Sequence, residues 1–171
     1  MTRRLPSRAT SGRTQKHVGD EAAHRVLRQF RQVFNAVKTH FQQVEKKAGL
    51  GGAQVWALSV IQQFPGIGVG DLAAAMEIHQ STASNLVKAL VERGFLTVAR
   101  DPEDRRVVQL KLLASGARAL KRAPGPYAGV LPEALAALDS ATLKRIEADL
   151  AKLVKVLKVD SRSGAIPLAE L

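Results

Sequence analysis

The chain has 171 residues, 46% of them hydrophobic and only 4% aromatic, enough for one domain with a real core or a small domain plus an oligomerisation element. Its 26 Lys and Arg against 15 Asp and Glu give a formal charge of +11. That charge favours a polyanion, nucleic acid first, because neutralising phosphates releases condensed counterions. The lack of cysteine excludes disulfides, thiolate metal sites and cysteine-based redox sensing. No apolar run approaches the roughly 18 residues that span a bilayer, and the N-terminus lacks the apolar centre of a secretion signal, so a cytoplasmic chain with no membrane partner is expected.

Residues 1–19 carry Arg3, Arg4, Arg8, Arg13 and Lys16 with no acidic residue, among Ser, Thr, Pro and Gly, and read as a disordered basic arm. From Asp20 to Lys47 the pattern turns helical. Leu27, Phe30, Phe34, Val37, Phe41 and Val44 fall at alternating steps of three and four, a heptad-like seam. A stripe so rich in phenylalanine is costly in water, at about 25 cal/mol per Å². It calls for a partner, within the chain or across a dimer.

Gly49 to Gly52 break that helix, and Ala53 to Phe64 form the next, with Val55, Leu58 and Ile61 on one face and Trp56 beside it. Pro65-Gly66 stops it. Asp71 to Met76 is a short helix whose Ala73 and Ala74 allow a close crossing. Glu77-Ile78-His79 then turns the chain, with Ile78 as an apolar plug.

The helix Gln80 to Arg93 buries Ala83, Leu86, Val87, Leu90 and Val91 at helical spacing, and Gly94 ends it as a left-handed cap. Its other face gathers short hydrogen-bonding groups in the first turns: Gln80, Ser81, Thr82, Ser84, Asn85 and Lys88. Groups of that kind meet base edges when a recognition helix lies in the major groove. Phe95 to Ala99 and Val107 to Leu112 read as two strands joined by the polar tip Arg100-Asp101-Pro102-Glu103-Asp104-Arg105-Arg106. Arginine suits a narrow, electronegative minor groove, and a neighbouring carboxylate such as Asp104 can hold its guanidinium in a fixed fork.

Ala114 to Arg122 begins another helix, which Pro124, Gly125, Pro126 and Gly129 interrupt, since proline in a helix interior costs about 3 kcal/mol. Pro132 to Leu138 starts a new segment. Asp139 or Ser140 caps a last helix with Leu143, Ile146, Leu150, Leu153 and Leu157 in a second seam. Residues 160–171 read as a loose tail, with Ile166 and Leu168 as candidates for docking on a partner.

Two helices, a strand, a charged tip and a second strand make a winged helix-turn-helix. The tip DPEDRR, the strand VVQLKL, the following LLASG and the preceding IHQSTASNLVKALVERGFL resemble the MarR family of transcription regulators. The resemblance implies a mainly α fold with a small β-wing: a winged helix-turn-helix over 48–113, with N- and C-terminal dimerisation helices over 20–47 and 114–159. It implies that Ser81, Thr82, Ser84 and Asn85 face the major groove while Arg106, held by Asp104, reaches the minor groove. The sequence departs from the family pattern at Leu113 and at His79, where a capping Ser or Thr is usual.

The expected function is that of a homodimeric, sequence-specific regulator, a repressor by expectation. It would read an inverted repeat in double-stranded DNA with Gln80, Ser81, Thr82, Ser84, Asn85, Lys88, Arg100, Asp104, Arg105 and Arg106. The resemblance also implies release by a small aromatic or phenolic effector, near Phe34, His40, Trp56 and Tyr127. The alternative is a winged-helix dimer that organises DNA without sequence preference or docks a protein. His17, His24, His40 and His79 show no metal-ligand spacing, and no nucleophile-base set or phosphate-cradling loop stands out, so no metal, cofactor or catalytic residue is expected.

Overall fold

The computed structural model describes residues 11–100 and 108–170. The chain divides into two compact units, 1–36 and 37–171, and its first helix, α1 (Ser11–Ala48), contributes to both. This helix begins nine residues before Asp20, so the part of the expected arm from Ser11 to Gly19 is helical, while residues 1–10 lie outside the described residues. Adding residues to a formed helix costs far less than nucleating one, and no proline stands between Pro6 and the seam to stop it. In the first unit Val26, Leu27, Val33 and Phe34 are exposed, and Phe30 stacks on Phe34 with ring centroids 6.2 Å apart.

The second unit holds the core. Within it follow α2 (Gly52–Gln63), α3 (Val69–Ala75), α4 (Gln80–Glu92), strands β1 (Leu96–Arg100) and β2 (Val108–Leu112), then α5 (Ala114–Arg122), α6 (Val130–Ala136) and α7 (Ser140–Leu157). Two short 3-10 turns, Ser161–Ala165 and Leu168–Glu170, close the chain. The fold is mainly helical with one small antiparallel hairpin, as the sequence implied.

Helix α2 is the centre of this unit: Val55, Ala57, Leu58, Val60 and Ile61 are all buried, so it is covered on more than the one face its spacing suggested. Against it pack Leu72 and Met76 of α3, Leu86, Val87 and Leu90 of α4, Leu96 and Leu110 of the hairpin and Leu120 of α5. Burying each such side chain contributes about 1.5–3 kcal/mol. Val37, Val44 and Ala48 at the end of α1 join the burial, so this half of the seam finds its partner inside the chain.

The strands pair with Val98 opposite Leu110; β1 starts one residue later than expected, and Val107, the expected first residue of β2, lies outside the described residues. Leu110 also donates its amide to Ile67 O at 3.0 Å, which ties the hairpin to the loop before α3. At Gly116 an added Cβ would lie 2.6 Å from Phe95 O and from Leu112 Cδ1; the glycine of the LLASG motif is there because α5 starts against the hairpin's base.

Helix α5 runs from Ala114 to Arg122 as expected, with no side-chain cap from Leu113, and Ser115 Oγ donates to Gly94 O. Two expectations need correction beyond α1. Helix α6 begins at Val130, which puts Pro132 in its first turn, where the missing N–H has no intrahelical acceptor to lose. The tail is not loose: Asp160 accepts from the Arg162 amide at 2.9 Å, Pro167 is buried and Ala169 packs against the core.

Helix α7 is capped as expected, Asp139 accepting from the Thr142 amide at 2.9 Å. It buries no residue, and Leu150, Leu153, Val154 and Leu157 stand exposed along it. Among the described residues no helix is long and apolar enough to cross a membrane.

Candidate nucleic-acid interface

The helix-turn-helix is built from two helix ends of the same design. At the end of α3, Ile78 N bonds to Ala73 O and Glu77 N to Ala74 O, with Glu77 in the left-handed region at φ 53°. At the end of α4, Phe95 N bonds to Leu90 O and Gly94 N to Val91 O, with Gly94 at φ 70°. Both are Schellman closures, which satisfy the last carbonyls of a helix and turn the chain sharply. Ile78, the expected plug, packs on the core between them.

Helix α4 is anchored through Ala83, Leu86, Val87 and Leu90, all buried, whereas Val91, expected on the same face, is exposed in the last turn. That fixes its rotation, so Gln80, Ser81, Ser84, Asn85 and Lys88 are exposed and Thr82 is half-buried. Two of these groups are engaged at home: Ser84 Oγ donates to Gln80 O at 2.8 Å, and Lys88 Nζ lies 3.9 Å from Glu92. Both contacts are exposed, and ion pairs of that kind hold the side chain only weakly. His79 stands at the N-cap with extended backbone and no capping bond. Its Nε2 faces Arg162 O at 3.3 Å instead, a contact that requires the Nε2–H tautomer.

Arg100 closes β1 opposite Val108. Asp104, Arg105 and Arg106 lie with the rest of the tip outside the described residues.

A clamp that spacing did not reveal sits behind α4. Arg93 donates from Nη2 to Gly49 O at 2.7 Å and from Nη1 to Gln54 Oε1 at 3.1 Å, with its guanidinium 5.3 Å from the centre of the Phe95 ring. In the sequence Arg93 is simply a cation at the C-terminus of a helix, favourable to its dipole. Its acceptors lie on the α1–α2 turn and in the first turn of α2, 44 and 39 residues away in sequence.

Of the four effector candidates, three lie in the second unit. His40 is buried and its Nε2 donates to Pro126 O at 2.9 Å, with the ring edge-on to Phe41. Tyr127 OH donates to Leu120 O at 3.3 Å. Trp56 lines an open groove of about 170 Å³ with Met76, Ile78, Ala128 and Pro132. Phe34 belongs to the first unit and is 57% exposed. The polar atoms of His40 and Tyr127 are thus spent on the interrupted α5–α6 connection, which leaves Trp56 with the open surface. Among the described residues no cluster of three or more His, Asp or Glu could hold a metal ion.

Comparison with known proteins agrees with this geometry. A family model described as the MarR family matches residues 48–107, from the end of α1 through the hairpin tip. Over those residues, about a third of its length, the chain is similar to the MarR family. It is 28% identical over 121 residues to the HTH-type transcriptional regulator Hpr of Lysinibacillus sphaericus, a stretch covering 68% of this chain and 65% of that relative. The chain therefore spans a little under two thirds of that relative's length.

Solved structures share the MarR-family fold at low identity. A MepR-like protein crystallised with pseudoligands superposes with a TM-score of 0.54 at 16% identity, covering 78% of this chain and 94% of its own. The PcaV regulator of Streptomyces coelicolor, solved with its natural ligand, gives 0.50 at 22% identity, covering 80% and 93%.

Proposed function

We propose that this chain is a MarR-family regulator of transcription, a homodimer that reads double-stranded DNA with α4 in the major groove and the tip 100–106 in the minor groove. The observation that carries the reading is the rotation of α4. Ala83, Leu86, Val87 and Leu90 are turned into the core, and a run of short hydrogen-bonding side chains is left on the open face of its first turns. A solvated face needs no such bias toward Gln, Ser and Asn, whereas base edges are read by those groups.

The dimer rests on α7. An 18-residue helix that buries nothing of its own and exposes Leu150, Leu153, Val154 and Leu157 carries apolar surface that a second copy can cover. Two α4 helices about one DNA turn apart, roughly 34 Å, would read an inverted repeat. Related structures were solved with small ligands, and an aromatic or phenolic effector changing the spacing of the two reading helices fits that pattern. The family is one of transcription regulators, and an enzyme is not a competing reading.

The test is direct. Purified protein at physiological salt should bind DNA from upstream of its own gene far more tightly than random DNA and protect two half-sites one turn apart. Equal affinity for both would replace this reading with a winged-helix dimer that organises DNA without sequence preference.

A further inference from the structure

Three oddities of the sequence meet in one place: the histidine where a helix cap is usual, the broken α5–α6 connection, and an apolar tail. The groove floored by Trp56 is walled on one side by Met76, Glu77 and Ile78 of the helix-turn-helix and on another by Ala128 and Pro132. Its remaining wall is the chain's own C-terminal stretch, Gly164 to Leu168. Lys158 ends α7 in the left-handed region at φ 52°, and the chain turns back through Asp160, whose carboxylate accepts from Arg162 N at 2.9 Å and from Arg162 Nη2 at 2.7 Å. Pro167 is then buried, and Ala169 reaches α2, where its Cβ would lie 2.9 Å from a Cβ added at Gly52. The carbonyl of Arg162 meets His79, the residue immediately before α4.

We propose that residues 160–170 form an intrachain strap that positions the N-terminal turn of α4 for reading DNA. The strap joins α7, the helix with the exposed apolar stripe, to the turn that sets the direction of the reading helix. Glu77 explains the need for it: a non-glycine residue held at positive φ makes the α3–α4 turn easier to open, and a strap packed on that turn opposes the opening. Any molecule filling the groove beside Trp56 must also meet or displace Ile166 and Pro167, so occupancy of the groove and the pose of α4 are linked through this segment. The proposal deepens the DNA-reading role and rests on it for its functional half.

The experiment uses the full-length chain with Ala169→Arg, and separately Pro167→Asp, each placing a charge where the strap packs. Hydrogen exchange at the amides of Glu77, Ile78 and Ala83 reads the turn without DNA. It should quicken about tenfold or more in both variants, while amides of the α2 core keep their protection. In DNA binding, preference for the upstream repeat over random DNA should fall about tenfold, with random-DNA affinity and its salt slope unchanged. A general loss of stability would speed exchange everywhere and lower both affinities together. In the unsubstituted protein, the amides of Ser163, Ile166 and Glu170, each bonded within the strap, should be protected. Exchange at the rates of an unstructured peptide there, or unchanged exchange at Glu77 and Ile78 in the variants, overturns the strap whether or not the variants fold well. If the unsubstituted protein lacks sequence preference, the DNA reading fails, and the exchange data still decide the strap.

Discussion

The guanidinium of Arg93, one residue past the reading helix, donates to the carbonyl oxygen of Gly49 at 2.7 Å. This single bond ties the C-terminal end of α4 to the turn between α1 and α2. A second bond to Gln54 and the face of Phe95 fix the fork in place. Planar, bidentate contacts of this kind are available to arginine and not to lysine.

Arg93→Ala is therefore expected to lower stability by about 1 kcal/mol, a drop of roughly 2–4 °C in Tm, and Arg93→Lys should recover little of it. Because the guanidinium is engaged by Gly49, Gln54 and the Phe95 ring, the salt slope of DNA binding should stay as it was. A slope reduced by about one unit in Arg93→Ala would mean that the side chain contacts phosphate instead.

Glu77 sits at φ 53° in the position of a Schellman closure where glycine is usual. Glu77→Gly removes the left-handed penalty but adds freedom to the unfolded chain, and the balance favours the variant by up to about 1 kcal/mol. A denaturant midpoint that moves down rather than up would contradict the assigned backbone.

Along α7, Leu150 is 41% exposed and Leu153 38%. Replacing both with Asp should leave the helix content of the chain intact, because neither supports the core, and should convert a dimer to a monomer by sedimentation. Affinity for a full inverted repeat should then fall to that of a half-site. A double variant that still sediments as a dimer would move the interface elsewhere.

The Asp139 carboxyl, which accepts first from the Thr142 hydroxyl and then from its amide, is held below its ordinary value of 3.8. A depressed carboxylate contributes stability that is present above its unfolded value and is lost as pH falls through the folded one. The first turn of α7 should accordingly loosen only below about pH 3.8, seen as a shift of the Thr142 amide resonance. In Asp139→Asn that transition should disappear.

Much of this architecture is legible in the sequence. The spacing of Ala83, Leu86, Val87 and Leu90 gave the buried face of α4 and hence its open face, and Asp139 announced the cap of α7. What stayed hidden depends on partners distant in the chain. Nothing near Arg93 points to Gly49, and nothing in the tail points to Ala169 against α2. Composition also misled: the basic residues before Asp20 read as an arm, although from Ser11 onward the backbone simply continues the helix behind it. The effector candidates were chosen for their chemistry, yet His40 and Tyr127 use their polar atoms on backbone carbonyls.

The central claim is that the open face of α4 reads bases. It is tested most directly by titrating the protein at fixed salt with its upstream inverted repeat and with a scrambled duplex, in parallel for the unsubstituted chain and Asn85→Ala. The account predicts a preference of about a thousandfold or more for the repeat, cut roughly tenfold or more by Asn85→Ala with scrambled-DNA affinity unchanged. A preference near one, or one that Asn85→Ala leaves untouched, would contradict it.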